Sequence, residues 1–280
     1  LQMDDTKRPC DFDNVVVEWY RGLEVMIKEV DGEWERMAVD IEDQCSIDDA
    51  AIEFQGKSVS ELSVEIADST DGASPILSSI LESLRPMDLL EIDFTLDHDY
   101  SQFMIEFMGV INRYDLSETK VLLIWNGEVE QTEGIVREAL QMLPKMKDFE
   151  LSFLIKKLEK GKCVYSSESM LDDATVAHLI ENSGRCRLDC SGINCTAQGI
   201  LNTFEEFCAS SMNGKYVFMH VYDNVFDEVF HLAKEQEIFK VSKDGLGLRQ
   251  ILDDARGRRI IERSSQSRKT TPISMEMRNE

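Results

Sequence analysis

Three cysteines and one histidine form the sequence's only cluster of the soft side chains that commonly bind zinc. Cys186, Cys190 and Cys195 follow His178 with C-x3-C and C-x4-C spacings. Ordinary zinc sites pair their cysteines as C-x2-C, so these spacings argue against a structural metal. Cys186 and Cys190 would also share one face of a strand, where free cysteine commonly packs as a small apolar residue. The sequence therefore predicts packed thiols and no metal.

Patterns that would indicate catalysis are missing. The sequence contains no G-x-G-x-x-G, P-loop, H-E-x-x-H or G-x-S-x-G motif. Its four histidines are scattered, and none has a nucleophile beside it. Paired carboxylates at positions 172 and 173 and at 253 and 254 fall at predicted helix starts, where they offset the helix dipole. We expect neither an enzyme nor a cofactor; the alternative is an enzyme whose site the sequence does not reveal.

Charge and hydropathy narrow the class of partner. The 280 residues carry a formal net charge of −24, which would repel nucleic acid and anionic membranes, so we expect a basic protein as partner.

No apolar run reaches the roughly 18–20 residues that cross a bilayer, and no signal peptide is visible. Seven cysteines, an odd number, favour reduced thiols. The sequence predicts an intracellular protein, cytoplasmic or nuclear.

Six short apolar runs recur along the middle of the chain and decide the predicted fold. They are ELSVEIA (61–67), LLEIDFTL (89–96), KVLLIWN (120–126), DFELSFLI (148–155), RCRLDCSGI (185–193) and KYVFMHV (215–221). Their centres lie 28 to 37 residues apart, close to the roughly 20–29 of leucine-rich repeats. A capped amphipathic segment follows each run, which predicts parallel strands with helical crossovers. Single strand–helix units cannot bury their own apolar face, so they must stack.

The alternation within the runs predicts which side the helices cover. In Leu62-Ser63-Val64-Glu65-Ile66, apolar and polar residues alternate, as in a sheet with one covered and one open face. We therefore expect an α/β fold: a leucine-rich-repeat-like curved parallel sheet with helices on one face. The residues expected on the open, partner-binding face are Glu65, Glu91, Asp93, Leu122, Ile124, Glu150, Ser152, Arg187 and Asp189.

Leu122 and Ile124 stand out in that set because they are apolar. They would form an apolar spot within an acidic column, the arrangement expected of a binding hot spot with a polar rim. The alternative is that a loop or the C-terminal tail covers them, since exposed apolar residues in ones and twos are common.

The two ends of the chain have a different pattern. Between residues 14 and 41, three apolar runs with Asp31 and Gly32 between the last two predict an antiparallel hairpin cap. We expect three regions: 1–59, an N-terminal antiparallel strand cap and acidic loop; 60–236, strand–helix repeats; and 237–280, C-terminal strands and a basic tail. The loop is expected at 42–59 and the short strands at 238–243 and 258–263. The tail is expected to be loose, to pair as an edge strand through 273–277, or to fold back onto the acidic face.

A resemblance to a known family rests on four of these segments. They are YRGLEVMIKEVDGEWERM, LLEIDFTL, VREALQMLPKMKDFEL and LDDATVAHLIENSGRCRLDCSGINCTAQGILNTFEEFCASSMNGKYVFMHV. In them the chain resembles the F-box-associated domains of the large nematode F-box families, with an N-terminal half like the FTH type and a C-terminal half like type 2. The resemblance implies a leucine-rich-repeat-like region that selects targets for a Skp1–cullin ubiquitin ligase.

The adaptor-binding part of that family is not visible. An F-box is helical and usually opens near a Leu-Pro pair, but here that pair is Leu143 and Pro144, inside the repeats. The first 60 residues have strand patterns instead. We therefore expect a Skp1-like adaptor only if an F-box lies outside this chain. Target recognition for an F-box-type receptor is the first hypothesis, and a leucine-rich-repeat-like scaffold unrelated to ubiquitination is the alternative.

Overall fold

A large sheet with a layer of helices makes up most of the molecule. The computed structural model describes residues 10–20, 23–29, 32–67, 73–96, 101–127, 133–159, 162–165, 171–193, 195–209, 216–235, 239–243, 250–254, 259–262 and 270–276. Within these ranges the chain forms one eleven-stranded sheet, a separate three-stranded sheet and a series of α-helices. This arrangement confirms the predicted α/β class.

Seven strands of the large sheet are mutually parallel. In spatial order they are β1 (Phe12–Trp19), β4 (Lys57–Ile66), β5 (Leu84–Leu96), β6 (Leu116–Gly127), β7 (Met146–Glu159), β9 (Ser183–Ile193) and β10 (Tyr216–Tyr222). Antiparallel strands extend both edges: β2 (Leu23–Glu29) and β3 (Trp34–Val39) beside β1, and β14 (Thr270–Glu276) beside β10. A short strand, β8 (Lys162–Tyr165), pairs with the last residues of β7 and accounts for the longest interval between the apolar runs.

The helices form one layer on the sheet. They are α1 (Gln44–Glu53), α2 (Ala73–Leu81), α3 (Ser101–Ile111), α4 (Glu133–Gln141), α5 (Asp173–Glu181), α6 (Ala197–Ala209) and α7 (Asp223–Glu235). Each helix contacts the next one along the chain, so all seven lie on the same side of the sheet. In the described parts of the chain, no helix is both long and apolar enough to cross a bilayer.

The hydrophobic core lies between that layer and one face of the sheet. Alternate strand residues that point into it are fully buried: Leu62, Val64, Ile66, Leu90, Ile92, Phe94, Val121, Leu123, Phe149 and Leu151. The rings of Phe94 on β5 and Phe107 on α3 meet edge to face with their centroids 5.6 Å apart. The predicted alternation of covered and open positions is therefore confirmed for these strands.

The acidic segment 42–59 differs from its prediction as a loop, because it contains α1 and the start of β4. Asp43 caps the helix by accepting a hydrogen bond from the backbone N–H of Cys45 at 3.1 Å. Ile47 and Ala50 are buried along one side of α1, and Phe54, just past its end, meets the ring of Phe12. Three buried residues at intervals of three and four are enough to form a helical face, although the acidic residues between them mask the pattern.

The N-terminal strands confirm one expectation and change another. β2 and β3 pair antiparallel, as the hairpin prediction required. β1 was expected in the same antiparallel cap, yet it also pairs in parallel with β4 and so belongs to the repeat sheet. The three predicted domain boundaries stay a prediction.

At the C-terminal end, the edge-strand alternative is the one that the structure contains. β14 pairs with β10 over seven residue pairs, so residues 270–276 neither hang loose nor fold back onto the open face. β11 (Phe239–Lys243) and β13 (Arg259–Glu262) match the two predicted short strands, and β12 (Gln250–Asp254) lies between them. The expectation of a helix start at Asp253 and Asp254 is wrong, because both residues lie in β12.

Candidate functional site

The open face of the sheet consists of the strand residues that alternate with the core, and cross-strand register aligns them in rows. The middle row contains Val16, Ser63, Glu91, Leu122, Glu150, Arg187 and Phe218. The C-terminal row, one step nearer the strands' C-terminal ends, contains Glu24, Glu18, Glu65, Asp93, Ile124, Ser152 and Asp189. All nine residues predicted from the sequence fall in these two rows. Their role in binding stays a prediction, and the side chain of Asp189 lies outside the described ones.

Carboxylates concentrate at the β1–β5 end of the face. Glu18, Glu65 and Asp93 occupy consecutive positions of the C-terminal row on β1, β4 and β5. Neighbouring strands are about 4.8 Å apart, so these acidic side chains stand close together. Partial burial raises the pKa of Glu65, and the nearby charges of Glu18, Asp93 and Glu91 raise it further. This end of the face therefore carries concentrated negative charge.

A carboxyl of the middle row, that of Glu91, also has a raised pKa. Burial raises the pKa of Glu91, the adjacent Asp93 and Glu61 raise it further, and Lys120 partly opposes the shift. A cation brought to this end would relieve the repulsion among these groups.

The face from β6 to β9 is different because basic side chains lie among its carboxylates. The Lys120 Nζ lies 3.2 Å from one carboxylate oxygen of Glu150, and the Arg187 Nε lies 3.6 Å from the other. The Arg185 Nε lies 4.0 Å from a carboxylate oxygen of Asp148. Glu150 is thus flanked by two cations, and this end has little surplus charge.

Leu122 and Ile124 on β6 separate the two ends. Both side chains are partly buried and lie on the opposite face of β6 from the buried Val121 and Leu123. The cross-strand neighbours of Leu122 are Glu91 and Glu150. The apolar spot therefore has concentrated negative charge on one side and paired charge on the other.

Two acidic residues of the face were missed in the sequence. Glu18 and Glu24 lie at cross-strand positions on β1 and β2, in line with Glu65, and Glu24 forms an ion pair with Arg36 on β3. They were overlooked because this region was assigned to a separate cap. The alternation of Val15, Val17 and Trp19 with Glu18 was the signal that could have placed β1 in the repeat sheet.

The cysteine and histidine cluster does not assemble into a site in the described structure. Cys186 is 1% exposed on the core face of β9, and Cys195 is buried just before α6. The side chain of Cys190 lies outside the described ones. Both ring nitrogens of His178 have partners: Nε2 lies 3.1 Å from the carbonyl oxygen of Leu143, and Nδ1 lies 3.2 Å from the Asn182 side-chain nitrogen. Among the described residues, no three His, Cys, Asp or Glu side chains are grouped to hold a metal ion.

No family model, no curated protein and no solved structure matches the chain. The resemblance to F-box-associated domains therefore stays a prediction from the sequence. The open face and its charge distribution are the features on which a function can be argued.

Proposed function

We propose that this chain is a protein-interaction module that binds a basic protein segment on the open face of its sheet. The observation that carries the proposal is the alignment of Glu18, Glu65 and Asp93 on three adjacent strands. Partial burial raises the pKa of Glu65, and repulsion from the like charges held close to it raises it further. A lysine or arginine from a partner would replace repulsion with attraction.

The sheet supplies the rigidity that such a site needs. The carboxylates lie on hydrogen-bonded strands whose other face is buried, so the backbone loses little conformational freedom when a partner binds. Exposed charges also steer an oppositely charged partner toward the face, and salt screens that attraction. Binding should therefore be strong at low ionic strength and should weaken as salt is added.

We also propose, from the resemblance described above, that the bound protein is a target of an F-box-type ubiquitin ligase. In that proposal the sheet has leucine-rich-repeat-like curvature with the open face concave, the protein is intracellular, and a Skp1-like adaptor binds an F-box outside this chain. A leucine-rich-repeat-like scaffold unrelated to ubiquitination is the alternative, and it would use the same face.

The binding proposal can be tested with a fluorescent arginine-rich peptide and a peptide that has glutamate in place of each arginine. Fluorescence anisotropy would compare the native chain with the double variant Glu65→Gln, Asp93→Asn. We expect the variant to bind the arginine peptide about tenfold more weakly at low salt, because two charges of the acidic row are lost. The control is Asp49→Asn, Glu53→Gln, which removes two exposed charges from α1 on the helical side. Equal weakening in both variants, or equal binding of both peptides, would contradict the proposal.

A further inference from the structure

We infer that the bound segment carries an apolar anchor next to its cationic residues, with the anchor on Leu122 and Ile124 and the cations toward β4 and β5. This inference rests on the proposed function and specifies the chemistry and the orientation of the partner. The partner is then an amphipathic basic segment of another protein, and an evenly charged polycation fits less well.

The spacing of the face supports this division. Leu122 and Ile124 lie one strand from Glu91 and Asp93 and two strands from Glu65. At about 4.8 Å per strand, these are separations of roughly 5 and 10 Å. An extended segment that crosses the strands covers the same distances in two to three residues. An apolar side chain and two cations can therefore contact their sites at once.

The apolar spot would be a poor contact for a cation. A lysine or arginine placed over Leu122 and Ile124 would lose part of its hydration without a hydrogen-bond acceptor from either side chain. An apolar side chain there would instead remove apolar surface from water on both partners, at roughly 25 cal/mol per Å². The anchor position therefore selects an apolar residue.

The ion pairs around Glu150 determine which way the bound partner segment points along the face. Glu150 lies between Lys120 and Arg187, so its carboxylate already has two cationic partners. Glu65 lies three strands from Glu150, a distance of about 14 Å that exceeds the screening length of about 8 Å in physiological salt. The charges of Glu65 and Glu150 are therefore largely screened from each other, although Lys120 also acts on Glu91, and cations of the partner are attracted to the β1–β5 end.

A double-mutant cycle tests the inference with two defined peptides. One is the acetylated and amidated peptide Gly-Arg-Arg-Gly-Leu-Leu-Gly-Ser-Ser, and the other has serine in place of both leucines. Each is titrated against the native chain and against Leu122→Ser, Ile124→Ser. We expect the loss of leucine to weaken binding to the native chain by about tenfold and to change binding to the variant by less than about threefold. Equal weakening in both proteins would overturn the inference.

Further variants separate this inference from the proposed function and from unfolding. Leu122→Thr, Ile124→Thr keeps strand-favouring side chains and should reproduce the serine result, while circular dichroism checks that each variant is folded. Glu150→Gln should weaken binding of the leucine peptide less than Glu65→Gln does, although each removes one charge from the same face. The inference alone fails if binding of both peptides requires Glu65 but the leucine and serine peptides bind the native chain equally well. The proposed function fails with it if neither peptide binds the native chain.

Discussion

Asp173, in the first turn of α5, holds the N-terminus of α6 through Thr196. One carboxylate oxygen of Asp173 accepts a hydrogen bond from the backbone N–H of Thr196 at 2.8 Å, and the other accepts one from its hydroxyl at 2.7 Å. The same hydroxyl accepts a hydrogen bond from the backbone N–H of Gly199 at 2.9 Å. Two consecutive repeat units are therefore joined by side chains as well as by the sheet.

The tight approach of Gly199 to Asp173 predicts a substitution whose effect changes sign. A Cβ atom at Gly199 would overlap the Asp173 carboxylate. Gly199→Ala must therefore push this carboxylate away from Thr196 and should lower the free energy of unfolding by about 1–2 kcal/mol. In an Asp173→Ala background the overlap is gone, and the better helix propensity of alanine should stabilise the chain by up to about 1 kcal/mol. Urea denaturation of the four proteins measures the cycle. Destabilisation by Gly199→Ala in both backgrounds would contradict this account.

Cys186 should behave as a packed core residue. Because its side chain is 1% exposed, Cys186→Ala should lower the free energy of unfolding by about 1–2 kcal/mol through lost volume. The matched control is Cys45→Ala on α1, where the thiol is exposed and the loss should be small. Elemental analysis of protein purified without chelator should find no stoichiometric zinc, and one zinc per chain would reverse this interpretation.

Neighbouring leucines on β6 should differ sharply in their effect on stability. Leu123 is fully buried in the core, so Leu123→Ala should cost about 2–5 kcal/mol. Leu122→Ala removes the same atoms from the open face and should cost less than about 1 kcal/mol. Thermal and urea unfolding measure both. Similar losses for the two variants would mean that Leu122 is covered, as the sequence alternative allowed.

The repeat region was predictable because period and alternation agree there. Three successive repeat units of similar length are centred on Val64, Ile92 and Leu123. Because the neighbours of these residues alternate between core and open face, each residue could be assigned to a face. The strand β8 was not predictable in the same way. It is a local extension of β7 that interrupts the repeat with no apolar alternation of its own.

The open face could be predicted in part. Glu65, Asp93 and Ile124 could be aligned from the strand pattern alone, whereas Glu18 required knowing that β1 pairs with β4 across an intervening hairpin and helix. The ion pairs of Glu150 depend on side-chain conformations on three strands, which no periodicity specifies. Sequence patterns therefore gave the positions of the face and only the structure gave its charge asymmetry.

The raised pKa of Glu65 predicts a pH-dependent cost in stability. A carboxyl whose pKa is higher in the folded than in the unfolded chain binds more protons when folded. Its contribution to the free energy of unfolding is therefore fully present below its ordinary pKa of 4.5 and is lost as pH rises through the folded pKa. Glu65→Gln should therefore stabilise the chain at pH 7 and have little effect near pH 4. Urea unfolding at both pH values measures this, and added salt should shrink the difference at pH 7. An equal effect at the two pH values would contradict it.

Removing β14 should expose a long edge of the sheet. Deletion of residues 264–280 leaves the outer backbone groups of β10 without their seven cross-strand partners. We expect a lower thermal midpoint and association that increases with concentration, because exposed strand edges pair with other chains. Deletion of residues 277–280 keeps β14 and serves as the control. Monomeric protein with an unchanged midpoint after the longer deletion would show that β14 is dispensable.

The helices of this molecule contact one another in chain order, from α1 to α7, and the strands between β4 and β10 follow almost the same order. In such a layout the width of the open face changes in whole units. Duplication of one strand–helix unit within the array would widen the face by one strand, about 4.8 Å, while the hairpin at one edge and β14 at the other stay as they are. A chain with more or fewer units would therefore have a wider or narrower open face with the same fold.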